Sequence, residues 1–520
     1  MRRKVVPLLA LLLLVPAAPA AAANKPSQQA GKPSPQAGSI AWAPCDPAEE
    51  APERVLCGTL EVPIDWSRPH GPKLTLALAK LPAADPAQRI GSLLINPGGP
   101  GGSGVSFAFA AGDAFSPAIV NRFDIIGFDP RGQARSQAIQ CDSDDIAAQQ
   151  EFAYPKSAAE YAKLRAANRE LFAGCRELSG PLFKFVDTAS VARDMDAIRA
   201  GLGESKISYY GVSYGTMIGQ QYAELFPTRI RAMTLDSNMD HSQNILGYQA
   251  YESLAMEGSF TEFAKWCERT EACVLNDEDV LAYFDGLYAE AEAGELVFEG
   301  EQVAPETLIS AIFGYLYDPV SWFDLANLLA ALGGDAPAGA DTARLRRGEP
   351  VENGYLPVMC SDYRFELGSY RALAALERVQ NRLAPHTRFN PLAWTDLTSC
   401  QNWPYPVSNP PHRLKASGKL PPILLANSRW DVATPYEWGR SLAKQLPSST
   451  FLTYDGVGHG TYWLSPCAQA AIDTYLVERR TPAKGTHCPA VFPDTPPQVA
   501  ALSTSGLVNP LPQLVGTNTR

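Results

Sequence analysis

Lys206-Ile-Ser-Tyr-Tyr-Gly-Val-Ser213-Tyr-Gly-Thr-Met-Ile-Gly-Gln-Gln-Tyr-Ala-Glu-Leu-Phe226 is the stretch whose reading decides the fold. Lys206–Tyr210 reads as a strand, and Thr216–Phe226 reads as a helix. Between them lies Gly211-Val-Ser213-Tyr-Gly215, the one G-x-S-x-G of the chain. The flanking glycines permit a tight, strained strand-to-helix turn. Such a turn lifts the serine hydroxyl above the edge of a sheet, where it can act as a nucleophile.

Working outward, the same alternation recurs. Ser92–Ile95 runs into Asn96-Pro-Gly-Gly-Pro-Gly-Gly-Ser-Gly104, and Phe123–Phe128 runs into Asp129-Pro-Arg-Gly132. A helical pattern over Val191–Leu202 precedes the decisive strand, and Arg231–Leu235 follows it and leads to Asp236. Far downstream, Pro422–Ala426 leads towards Asp431, and Thr450–Tyr454 leads towards His459. Short apolar runs joined by helices predict an α/β fold with a mostly parallel sheet and helices on both faces. In such sheets ligands bind beyond the carboxyl ends of the strands.

Between Asp236 and Pro421 the alternation stops. Thr261–Thr270, Asp279–Ala293, Pro305–Tyr317 and Tyr370–Leu383 carry helical patterns rich in aromatics. This region is expected to be a large, mainly helical lid over residues 238–415, inserted before the acid-bearing strand. Residues 40–237 and 416–520 then form the two parts of one core.

Bulk properties narrow the function. The chain has 520 residues, 46% hydrophobic and 19% charged, enough to bury a large core. Its formal charge of −11 argues against nucleic acid as a partner, since phosphate binding needs clustered Lys and Arg. Arg2, Arg3 and Lys4 precede the apolar run Val5–Val15 and the small-residue tract Pro16–Ala23. That pattern predicts a secretory signal peptide over residues 1–23, its apolar part too short to span a membrane. Residues 24–39, rich in Pro, Gln, Gly and Ser, read as a disordered leader. The mature protein is expected to carry no stable membrane span, and its oligomeric state is not legible.

Ten cysteines fit an oxidising compartment. They fall as near neighbours: Cys45 and Cys57, Cys141 and Cys175, Cys267 and Cys273, Cys360 and Cys400, Cys467 and Cys488. Spacing alone does not fix connectivity, but sequential pairing is the working expectation. No tight C-x-x-C pair or Cys/His cluster points to a metal, and no cofactor is implied.

A serine hydroxyl needs a general base, and in this arrangement the chain order is serine, acid, histidine. Of six histidines, His459 in Gly456-Val-Gly-His-Gly460 follows the last clear strand and is the best base by position. His70 and His241 lie outside the expected place, His386 and His412 fall in the lid or its exit, and His487 adjoins Cys488. Asp431, just after a buried-type strand, is the preferred acid to orient the imidazole. Asp455, close to His459 in sequence, is the local rival. Asn96–Gly104 lacks the lysine of a phosphate-binding loop, which argues against nucleotide binding. It can instead offer a backbone N–H to a developing oxyanion. Gly99 is the first choice and Gly98 the near alternative, with the N–H of Tyr214 as the second donor.

Taken in order, Asn96–Gly104, Gly127-Phe-Asp-Pro-Arg-Gly132, Gly211–Thr216, Asp431-Val-Ala-Thr-Pro435 and Gly458-His459 resemble a known family. They are similar to the secreted tripeptidyl aminopeptidases of the prolyl-iminopeptidase-like branch of α/β hydrolases, and to mycobacterial envelope serine proteases. The resemblance extends over nearly the whole mature chain, including the five Cys pairs, Cys360-Ser-Asp362 and Cys400-Gln-Asn-Trp-Pro404. It implies an α/β-hydrolase fold and a secreted, periplasmic or envelope serine exopeptidase. Such an enzyme releases short peptides, often tripeptides, from free N-termini. Gln133-Ala134 departs from the glycine-rich sequence that relatives often carry there.

An aminopeptidase must also recognise a cationic amine, most simply with a shielded carboxylate. Asp362 and Asp240 are the candidates, with Glu252 and Glu366 open as alternatives. Two other functions fit the same residues: a carboxylesterase or lipase with the same triad, and a silent binding protein on a hydrolase scaffold. Fold alone does not separate them.

Overall fold

The computed structural model describes residues 39–334 and 348–496. The expected signal peptide (1–23) and all of the expected leader (24–39) except Ser39 lie outside the described residues. A ten-stranded sheet organises the chain. Its strands are β1 (Ala43–Pro44), β2 (Leu56–Pro63), β3 (Lys73–Leu81), β4 (Gly91–Asn96) and β5 (Phe123–Phe128). They continue as β6 (Ile207–Val212), β7 (Ile230–Asp236), β8 (Leu424–Trp430), β9 (Thr450–Val457) and β10 (His487–Cys488). The spatial order is β1-β2-β3-β5-β4-β6-β7-β8-β9-β10.

From β5 through β10 all neighbours are parallel, whereas β1, β2 and β3 form an antiparallel flank that joins β5. The chain is therefore an α/β protein with a mostly parallel sheet, as the alternating runs predicted. Central strands β4 and β6 are buried at every residue, as strands covered on both faces should be. Neighbouring residues point to opposite faces and join different cores. Leu94, Tyr209 and Met233 belong to one core, and Leu93, Ile95, Tyr210 and Ala232 to the other. Fully burying each large side chain contributes about 1.5–3 kcal/mol.

Strands β7 and β8 pair directly, with Leu425 opposite Leu235, so everything between them is an insertion into the sheet. Seven α-helices lie there among the described residues: Ile245–Glu268, Val280–Ala293, Pro305–Tyr315, Trp322–Leu332, Tyr355–Asp362, Tyr370–Leu383 and Pro391–Ser399. Their apolar side chains, Phe260, Trp266, Trp322 and Trp394 among them, continue the core that holds Tyr209 and Met217. The insertion is thus packed on one face of the sheet rather than hung from it. Two strand pairs interrupt its helices. Val297–Phe298 pairs with Glu301–Gln302, and Pro350–Glu352 pairs with Gln140–Asp142 from the first core segment.

All ten cysteines form disulfides, in sequential order. Cys45 is bonded to Cys57, which ties β1 to β2 at the antiparallel edge of the sheet. Cys141 is bonded to Cys175, so the short strand Gln140–Asp142 is fixed to the helix Ala158–Ser179. Within the insertion, Cys267 is bonded to Cys273 across the end of the helix Ile245–Glu268. Cys360 is bonded to Cys400, which joins the end of the helix Pro391–Ser399 to the helix Tyr355–Asp362. Cys467 is bonded to Cys488, which holds the edge strand β10 to the helix Pro466–Glu478. Five disulfides fit an extracytoplasmic, oxidising compartment. No helix among the described residues is long and apolar enough to cross a membrane.

Candidate active site

Ser213 sits at the tip of β6 with φ 57° and ψ −126°, a conformation costly for a side-chain-bearing residue. The surroundings hold it there. Its N–H donates to the carbonyl of Asp236 at 3.0 Å. The Thr216 hydroxyl donates to the Ser213 carbonyl at 2.6 Å, and the Tyr209 hydroxyl donates to the Gly215 carbonyl at 2.7 Å. Both elbow glycines are sterically required. A Cβ on Gly211 would lie 2.6 Å from the Gly215 carbonyl oxygen, and one on Gly215 would lie 2.8 Å from Asn96 Oδ1.

The loop after β4 lies against this turn. A Cβ on Gly98 would fall 2.8 Å from Ser213 Cβ and 3.1 Å from the Tyr214 nitrogen. The N–H of Gly98 is already given to Asn96 Oδ1 at 3.0 Å. Gly98 therefore has no proton to offer a ligand, whereas the next N–H along, that of Gly99, has no acceptor among the described residues. Tyr214 opens the helix Tyr214–Leu225, so its N–H has no intrahelical acceptor either. Asp129 of the Gly127–Gly132 segment fixes the far end of the loop. It accepts from the Ser103 hydroxyl at 2.6 Å and from the Val105 N–H at 3.1 Å.

His459 follows β9, and its Nδ1 lies 2.8 and 3.0 Å from the two carboxylate oxygens of Asp431, which follows β8. Both side chains are wholly buried. Asp431 is itself held by the N–H groups of Ala433 (3.0 Å) and Thr434 (2.9 Å) and by the Thr434 hydroxyl (2.8 Å). With Nδ1 facing the carboxylate, Nε2 of His459 is buried and has no partner among the described residues. That free, oriented nitrogen is what a general base requires.

The rival acid is turned elsewhere. Asp455 pairs with Arg429 at 3.0 Å and with His487 at 2.8 Å on the surface. Two other histidines are also engaged away from Asp431: His386 with Asp285 and His412 with Glu224.

Two contributors were not legible in the sequence. Asp236, at the end of β7, is fully buried, and that burial pushes its carboxyl upward. It accepts from Tyr210 Oη, from the N–H and hydroxyl of Thr461 and from the N–H of Tyr462, at 2.8–3.0 Å. It thereby ties the His459 loop to the elbow strand. Tyr317, from the insertion, accepts the His459 N–H on its carbonyl at 2.8 Å. An acid closing the run Arg231–Leu235 was the only available signal for the first. Nothing local marked the second.

The four amine-site candidates differ sharply. Each oxygen of Asp362 already accepts hydrogen bonds, from Thr188 and, on Oδ1, from Asn409 Nδ2 at 2.8 Å. Burial, with Asp187 nearby, pushes its carboxyl up to about 8. Asp240 caps its own loop and accepts from Ser242, Gln243 and Gln445. Glu366 pairs with Arg165 at 2.7 Å on the surface. Glu252 alone combines full burial with a free oxygen. Its Oε2 accepts from Asn390 Nδ2 at 2.9 Å, and Oε1 has no partner among the described residues. The same Asn390 amide donates to the Val432 carbonyl at 2.8 Å, which sets Glu252 beside the Asp431 loop. Burial, reinforced by Asp396 and Asp431, pushes its carboxyl well above the usual range.

Comparison with known proteins places the chain in a family. A family model described as TAP-like protein matches residues 385–488, and one described as alpha/beta hydrolase fold matches residues 91–305. The tripeptidyl aminopeptidase of Streptomyces lividans is 33% identical over 470 residues, 86% of each chain. Serine protease Hip1 of Mycobacterium tuberculosis is 32% identical over 479 residues, 86% of this chain and 91% of the relative. Carboxylesterase B of the same organism is 30% identical over 457 residues, 83% of this chain and 86% of the relative. The chain belongs to the tripeptidyl aminopeptidase-like serine peptidases of the α/β-hydrolase fold.

Proposed function

We propose that this protein is exported by its N-terminal signal segment. We further propose that it removes short peptides, tripeptides first among them, from free N-termini through an acyl-enzyme on Ser213. The observation that carries the reading is the buried Asp431–His459 pair with Nε2 left free, on a loop that Asp236 ties to the elbow strand. Ser213 Oγ attacks the scissile carbonyl carbon while Nε2 of His459 takes its proton. Asp431 holds the tautomer and stabilises the imidazolium. The oxyanion is received by the N–H groups of Gly99 and Tyr214. Collapse returns the proton to the leaving amine and breaks the peptide bond. Water, activated by the same nitrogen, then releases the acyl peptide.

Recognition of the substrate ammonium falls to Glu252 in place of Asp362 and Asp240, whose oxygens are already engaged by the protein. A buried carboxylate oxygen without a donor is unfavourable until a cation meets it. A second reading, ester hydrolysis by the same triad, is favoured by the relative named carboxylesterase B. Labelling with a fluorophosphonate probe tests the shared chemistry: wild type is expected to label and Ser213→Ala to stay unlabelled. Folded wild-type protein that takes no label overturns both readings.

A further inference from the structure

We propose that Asp362, in the Cys360-Ser-Asp362 segment of the insertion, is a positioning residue for the nucleophile elbow, acting through Thr188 on Tyr214. The proposal rests on the serine-hydrolase reading of Ser213. Its observation is an unbroken, buried chain of hydrogen bonds from the insertion to the residue after the serine. Tyr214 Oη lies 2.7 Å from Thr188 Oγ1. The Thr188 hydroxyl donates to Asp362 Oδ2, and its N–H reaches both carboxylate oxygens at 3.1 and 3.2 Å. Asp362, Thr188 and Tyr214 are all almost fully buried.

Each end of this chain is anchored. Thr188 opens the helix Thr188–Gly201, so its N–H is one of the donors that a helix start leaves unsatisfied, and a carboxylate there is favourable. Asp362 closes the helix Tyr355–Asp362, which the Cys360–Cys400 disulfide staples to the end of the helix Pro391–Ser399. Asn409 completes the cradle: its amide donates to Asp362 Oδ1 at 2.8 Å, and its N–H donates to the Ser361 carbonyl at 3.0 Å.

The function follows from the strain at Ser213. A backbone in that region persists only where neighbours over-determine it. The other restraints on the turn, from Asp236, Thr216 and Tyr209, all come from the sheet or the elbow helix itself. The Tyr214 hydroxyl carries a restraint that originates in the insertion, beside the Met239 N–H that donates to Thr216 Oγ1 at 3.0 Å. It acts on the residue whose N–H faces the oxyanion, so loosening it displaces serine and donor together. Asp362 touches no reacting atom; it sets where those atoms stand.

The test uses the full-length protein and the variants Asp362→Asn, Thr188→Val, Thr188→Ser, Tyr214→Phe and the Thr188→Val/Tyr214→Phe double. For each, fluorophosphonate labelling rate, kcat and KM on a tripeptide p-nitroanilide, and melting temperature are measured. Asp362→Asn, Thr188→Val and Tyr214→Phe are each expected to slow labelling and kcat on the order of 10- to 100-fold. KM should stay within about twofold, the mark of an interaction expressed in the transition state. The double variant should lose no more than the worse single, because both break one chain. Thr188→Ser, which keeps the hydroxyl, should restore most of the rate. Unchanged rates in Asp362→Asn or Tyr214→Phe, additive losses, or a loss that Ser does not rescue and that tracks melting temperature would overturn the proposal. Wild-type protein that takes no label would overturn the serine-hydrolase reading itself, and this proposal with it.

Discussion

Tyr317 and His459 are joined in two ways: the Tyr317 carbonyl accepts the His459 N–H at 2.8 Å, and their rings meet edge to face at 5.3 Å. A residue of the insertion therefore seats the proposed general base. The Tyr317 hydroxyl is buried and has no partner among the described residues. An unpaired buried hydroxyl costs about 1–3 kcal/mol, so Tyr317→Phe should match or exceed wild type in melting temperature. Tyr317→Ala should lose about 3–5 kcal/mol through the cavity it leaves, and kcat with it. Thermal unfolding of both variants checks this; a clear destabilisation in Tyr317→Phe would show that the hydroxyl is paired.

The choice between the two acids near His459 is open to direct test. Asp431→Asn should lower kcat on the order of 10³- to 10⁴-fold, because an amide favours the wrong imidazole tautomer. Asp455→Asn removes an exposed ion pair worth about 0–1 kcal/mol and should leave kcat near wild type. Steady-state kinetics of the two side by side are sufficient. A large loss in Asp455→Asn would reassign the acid.

Glu252 predicts a pH dependence in binding. Burial, with Asp396 and Asp431 nearby, holds its carboxyl in the protonated form to higher pH than an ordinary glutamate. The ionised form is the one that pairs with an ammonium. KM for a free-amine peptide should therefore fall as pH rises through that raised value. It should rise again once the substrate amine deprotonates near pH ~8. Glu252→Gln should remove the acid-side limb and cut the preference for free over acetylated substrate on the order of 10- to 100-fold. An unchanged KM profile in that variant would place the amine elsewhere.

Asp396 predicts a pH dependence of stability. The hydroxyls of Tyr248 and Tyr355 donate to it at 2.8 and 2.7 Å, yet burial pushes its carboxyl up to about 7. Below its unfolded value both states hold the proton, and the stabilising contribution of the neutral acid is complete. Between the unfolded value near ~4 and about 7 the unfolded chain ionises while the folded state keeps its proton, so that contribution is lost progressively and is gone once pH has risen through about 7. Asp396→Asn should run parallel to wild type in melting temperature above about pH 7 and gain on it between about pH 4 and about pH 7. Parallel melting curves across that range would contradict it.

What the sequence made legible was local. The elbow, the loop after β4 and the positions of Asp431 and His459 each depend on a strand, the turn that ends it and chain order, all of which a short window displays. The β2–β3 hairpin lies outside the strand–loop–helix alternation, although Lys73-Leu-Thr-Leu-Ala-Leu-Ala-Lys-Leu81 alternates as a half-covered strand does. The amine candidates were harder, because an acid's availability depends on which distant donors reach it. Asp362 is occupied by Thr188 and Asn409, which are remote from it in sequence. Tyr317 reaches His459 across the insertion, and no pattern in Pro305–Tyr317 distinguishes the residue that touches the site from those that fill the core.

The most direct test of the central claim compares a tripeptide p-nitroanilide with its N-acetylated twin, using wild type and Ser213→Ala. The account predicts release from the free-amine substrate by wild type, little from the acetylated one, and none from Ser213→Ala. Equal release from both substrates would contradict amine recognition and favour a general esterase or endopeptidase. Release that survives Ser213→Ala would contradict the acyl-enzyme itself.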